Sequence, residues 1–100
     1  MIKNGARLQS QVCDTQVIVV RSADSLHDLR VGGAPVVPVG GDVDAGLTID
    51  PDLSDGTLMG KRYVDDSGAE VLVTKAGAGT LSVGSTPLTV KEAKPLPASD

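Results

Sequence analysis

The chain holds one cysteine, Cys13, and one histidine, His27. A nucleophilic thiol needs a base beside it and a lowered pKa. A turn around Ser22–Ser25 would bring the strand carrying Cys13 towards His27, with Asp14 and Asp28 placed to orient an imidazole. Nothing local marks a nucleophile turn, however. Cys13 reads as a small apolar residue packed in a strand, and His27 as a surface residue of a turn. A closed zinc site takes four ligands, usually paired Cys or His at short spacing. One of each excludes such a site within one chain, and no cofactor is expected. In "DLRVGG" the thiolate position of a knuckle turn is occupied by Val31, which disables a half site built on Cys13. The alternative reading that remains is a metal- or thiol-dependent domain using Cys13 and His27, with ligands shared across a symmetric interface.

Lys61, Arg62 and Tyr63 form the one compact basic and aromatic cluster, "GKRY". The two cations suit an anionic group, and Tyr and Arg are enriched at interface hot spots. On a strand, Lys61 and Tyr63 share one face and Arg62 takes the other. These three are the candidate ligand or partner contacts, and they support a further alternative, a small-ligand-binding β-barrel. The acidic stretch 40–56 fails as a calcium loop: counting from Asp42, the sixth position is Leu47 and the twelfth Leu53, where Gly and Glu are required. The glycine groups fail as phosphate loops, since Lys75 precedes "GAG" and no helix follows.

These residues must be positioned by a small domain. One hundred residues make one domain with a modest core. There is no Phe or Trp and a single Tyr, so the core comes from Val, Leu, Ile and Ala. The net charge is −4, without the dense basic patch or aromatic platform that nucleic acids require. No run reaches transmembrane length, and "MIKNGARLQSQ" lacks the apolar region of a signal peptide. A lone cysteine forms no internal disulfide. The expectation is a cytoplasmic protein with no membrane and no nucleic-acid partner.

Period-two patterning dominates. Arg7 to Val12 reads as an edge strand. Val17, Ile18, Val19 and Val20 make the next strand apolar on both faces, which predicts burial on both, by a second layer or another subunit. These four are the candidate interface residues. After a turn at Ser22–Ser25, a strand runs to Val31. Pro35 and Pro38 confine "VGGAPVVPVGG" to an extended or edge segment. The acidic segment 40–56 is a flexible loop that Leu47 and Ile49 could anchor. Residues 57–90 read as a C-terminal meander, and 91–100 as a proline-containing arm. No internal repeat stands out. The fold predicted is all-β, a small barrel or sandwich of six to eight short strands.

The stretches "VCDTQVIVVR", "VGGAP" and "GKRY" resemble parts of small uncharacterised bacterial proteins, a resemblance that carries no activity and no site. The function expected from the residues is a non-catalytic accessory or structural β subunit. It would act through self-association or through binding a larger protein.

Overall fold

β-Branched residues are stiff at χ1 and pack well on a pleated surface. Gly and Pro punctuate the chain every few residues, so its strands are short. The computed structural model describes residues 2–91 and holds ten strands. They are β1 (Arg7–Gln9), β2 (Gln16–Arg21), β3 (Leu29–Val31), β4 (Ala34–Pro35), β5 (Val37–Pro38), β6 (Arg62–Val64), β7 (Glu70–Lys75), β8 (Leu81–Val83), β9 (Thr86–Pro87) and β10 (Thr89–Val90). Single 3-10 turns at Asp24–Asp28 and Pro51–Leu53 are the helical content among the described residues.

The strands form two antiparallel sheets, in the orders β10-β6-β7-β2-β1-β5 and β4-β3-β8-β9. They pack as a sandwich around one apolar cluster that includes Leu8, Val17, Val19, Leu29, Val31, Tyr63, Val71, Val73 and Leu81. Fully burying each aliphatic side chain of this cluster contributes about 1.5–3 kcal/mol. The sheets keep free edges at β5, β10, β4 and β9, so the barrel alternative is corrected to an open sandwich. Ring closure would need these edges to pair, and prolines at three of the four remove backbone donors there. β1 is an interior strand between β2 and β5, not the edge expected for Arg7 to Val12. The C-terminal strands are divided between the sheets: β6–β7 lie in the larger and β8–β9 in the smaller, with β10 returning beside β6.

The arrangement has a pseudo-twofold relation that the sequence conceals. β1–β5 and β6–β10 are two copies of one five-strand unit. β1 pairs with β2 and β5 just as β6 pairs with β7 and β10. The two units join at the centre of each sheet, β2 against β7 and β3 against β8. Register makes Arg7 equivalent to Arg62, Leu8 to Tyr63, Ile18 to Leu72 and Leu29 to Leu81. Outside the ladders, backbone bonds repeat in matched pairs. Gly5 N–H donates to Val19 O at 2.7 Å, and Gly60 to Val73 at 2.8 Å. Gly32 donates to Thr80 O and Gly84 to Asp28 O, both at 3.0 Å. Gly32 and Gly84, at φ +63° and +58°, make the same left-handed turn in each copy.

The acidic segment 40–56 divides in two. Residues 40–48 are exposed, whereas Ile49 and Leu53 are half-buried. Asp50 N–H donates to Gly32 O at 2.9 Å, and Leu53 O accepts from Thr80 N–H at 2.8 Å. The second part is thus docked on the turn after β3. Of the proposed arm 91–100, all but Lys91 lies outside the described residues.

Candidate protein-binding face

Alternation along β2 and β7 sends Val17, Val19, Val71 and Val73 into the sandwich, and all four are fully buried. Ile18 and Leu72 alternate to the outer face of the six-stranded sheet, where they pair directly. Both are only half-buried, and Val20 beside them is 38% exposed. Among the described residues no second layer covers this face. The four candidate interface residues therefore separate: Val17 and Val19 are core, and Ile18 and Val20 are surface.

One row of outer-face residues crosses the sheet from edge to edge: Val39, Arg7, Ile18, Leu72, Arg62 and Lys91. Its register follows from the β1–β2, β2–β7 and β6–β7 ladders and from the bonds Val39 N–H to Arg7 O and Lys91 N–H to Arg62 O. An apolar pair thus lies between two arginines. Arg21 pairs with Glu70 and Lys75 with Gln16 on the same face. Five of the nine basic residues are gathered here. Glu70 is the one acidic residue within a strand among the described residues; the others lie in turns and loops. An acidic chain thus presents a basic sheet face.

Glu70 is nearly buried beneath its cations. Lys91 Nζ donates to its Oε1 at 3.0 Å, and Arg62 Nη1 to its Oε2 at 3.3 Å. The hydrogen bond from Lys91 holds the carboxyl below its ordinary range. Burial opposes this, and the charges of Lys91 and Arg62 reinforce it. In the first copy the equivalents of Arg62, Glu70 and Lys91 are Arg7, Gln16 and Val39. There the residues Arg7, Gln16, Ile18, Val39, Thr74 and Lys75 line an open groove of about 470 Å³.

The GKRY cluster is dispersed by the fold. Tyr63 is buried in the core, where its hydroxyl accepts from Leu58 N–H at 3.0 Å. Arg62 is tied to Glu70, and Lys61 is exposed. Cys13 and His27 lie in different surroundings. His27 is exposed, and its Nδ1 bonds Asp24 O. Cys13 Sγ lies 3.3 Å from the hydroxyls of both Ser10 and Thr15, and Gly79 N–H donates to it at 3.4 Å. Burial pushes this thiol up, and the bonds from Ser10, Thr15 and Gly79 together bring it below its ordinary value. Among the described residues no three His, Cys, Asp or Glu side chains are grouped to hold a metal ion. No helix is long and apolar enough to cross a membrane.

Sequence reasoning missed Arg7, Gln16, Glu70, Leu72 and Lys75. Superposing "QVIVVR" on "EVLVTK" sets Gln16 on Glu70 and Ile18 on Leu72, but Arg7 lies outside these stretches and joins the face only through the β1–β2 register. Comparison with known protein families, curated proteins and solved structures finds no match to this chain.

Proposed function

We propose that this chain is a non-catalytic accessory β module that binds a larger protein through the outer face of its six-stranded sheet. The observation carrying this reading is the uncovered apolar pair Ile18 and Leu72, set among Arg7, Arg62 and Lys75. Charge decides between a partner and a second copy on this face. A twofold dimer would set the same patch against itself, and like charges brought together are costly. The face instead suits a surface with an aliphatic centre and an acidic surround. Tyr63 is buried, so the face offers no aromatic platform for bases.

Affinity capture followed by binding measurements on the purified complex tests the reading. The chain alone is expected to be monomeric at about 100 μM, well above the dissociation constants of ordinary specific complexes. Val20→Asp and Ile18→Asp are expected to abolish partner binding while preserving β-rich circular dichroism. Binding that survives both substitutions overturns the assignment of the face.

A second reading, a thiol-dependent domain, is favoured by the Ser10 and Thr15 hydroxyls and the Gly79 N–H that surround Cys13 Sγ. Cys13→Ala separates the two. It leaves partner binding intact on the first reading and removes the function on the second.

A further inference from the structure

The two copies of the five-strand unit handle the same position differently. In the second copy, Arg62 and Lys91 grip the Glu70 carboxylate at 3.3 and 3.0 Å. In the first copy the arginine is kept as Arg7, and the carboxylate is replaced by the neutral Gln16. Lys75, the cross-strand partner of Gln16, brings a second cation to the same groove. Among the described residues neither Arg7 nor Lys75 forms an ion pair. One copy contains its own anion, and the other has the cations around an open groove.

We propose that the groove of Arg7, Gln16 and Lys75 is a binding subsite for a side-chain carboxylate on an acidic segment of a partner protein. The inference rests on the protein-binding reading of this face and deepens it. The chemistry is set by the filled copy: what sits between Arg62 and Lys91 is a carboxylate. Arginine matches a carboxylate with parallel donors, and charge-assisted bonds of this kind are the stronger class. Gln16 and Thr74 add neutral polar groups to the groove. Ile18 and Val39 line it as well, so the residue next to the acidic one is aliphatic. The preferred ligand is an acidic residue with an aliphatic neighbour, held against β1 and β2.

Titration of the ¹⁵N-labelled full chain with a blocked peptide of alternating glutamate and valine tests the subsite. Shifts are expected at Arg7, Gln16, Thr74 and Lys75, weakening as salt is raised. The same peptide with glutamine for glutamate is expected to bind about tenfold more weakly, the scale of one charge-assisted hydrogen bond. Gln16→Glu copies the filled unit into the open one. It is expected to remain folded and to lose peptide affinity by about tenfold, again the scale of one such bond. Arg7→Gln is expected to do the same and serves where Gln16→Glu is poorly folded. Glu70→Gln is expected to add a second set of shifts around Arg62 and Lys91. Equal binding of the glutamine peptide, or affinity untouched by Gln16→Glu and Arg7→Gln, overturns the proposal. Inorganic phosphate competing as well as the peptide overturns the carboxylate assignment. If the peptide does not bind but the partner is still lost in Val20→Asp, the subsite fails and the face stands. If the peptide binds at Arg7 while the partner tolerates Val20→Asp and Ile18→Asp, the face reading fails and the subsite stands.

Discussion

Ile18 and Leu72 face each other across the middle of the six-stranded sheet, and each is the other's equivalent in the repeated unit. The pseudo-twofold axis passes between them. Arg30 and Ser82 hold the same relation in the smaller sheet. On either side of these two pairs the ladders run in matched steps, Val17 with Val73 and Val19 with Val71 in one sheet, Leu29 with Val83 and Val31 with Leu81 in the other.

Two adjacent valines of β2 should behave in opposite ways. Val19→Asp places a carboxylate at a site that is 2% exposed, with no partner for its charge. A loss of about 4 kcal/mol or more is expected, enough to unfold a domain of this size. Val20→Asp should change stability by no more than about 0.5 kcal/mol. Urea denaturation monitored by circular dichroism distinguishes them, and equal losses would contradict the described alternation.

The Glu70 network gives stability a defined acid limb. Its folded pKa is depressed, so its contribution is fully present above the unfolded carboxylate value, about 4.3. It is lost as pH falls through the folded value. Glu70→Gln should therefore flatten the decline in stability between neutral and acid pH. Wild-type and variant curves that run parallel through that range would show that the pair contributes nothing.

Cys13 has no cation beside it, which by sequence argues for an inert thiol. The hydroxyls and the Gly79 N–H around its sulfur take that role instead. Ser10→Ala should move the pH profile of thiol labelling upwards, because a donor to the thiolate is lost. Thr15→Val should move it the same way, and Thr15→Ser should restore it. A profile unmoved by Ser10→Ala would mean that the donors do not act on the thiolate.

Gly77 is required for space. A Cβ there would lie 2.5 Å from both the backbone nitrogen and the Oγ1 of Thr15. Gly77→Ala should cost about 1–3 kcal/mol, the usual range for overpacking. Ala78→Gly, at an exposed neighbour, should stay within about 0.5 kcal/mol. Thermal denaturation of both variants checks the contrast.

The strands were legible where the period of two was backed by β-branched residues. Gln16–Arg21, Glu70–Lys75 and Leu81–Val83 fall where alternation places them. The repeat was not legible. Its identities, among them Val17 with Val71, Leu29 with Leu81 and Pro35 with Pro87, are residues that any β chain uses. The linker 22–28 is also longer than its counterpart 76–80, which breaks a fixed spacing. Tyr63 is the sole aromatic, yet its place is that of Leu8, and both fill the core. The basic face could not be read from local sequence. Arg7, Lys75 and Arg62 come together only through the β1–β2, β2–β7 and β6–β7 registers, and those depend on contacts far apart in the chain.

The exposed connection 40–48 has a consequence for how the chain is held together. Each sheet is completed by a strand from the other unit, β2 by β7 and β3 by β8, so the linker acts as a tether and not as part of the framework. Its contribution is an effective concentration, on the order of millimolar for a short flexible link. Fragments cut within 40–48 are expected to reassemble when mixed, as two proteins in a heterodimer would. The first fragment alone can offer β2 to a second β2 at the same register, which would make the single chain the fused form of a twofold dimer.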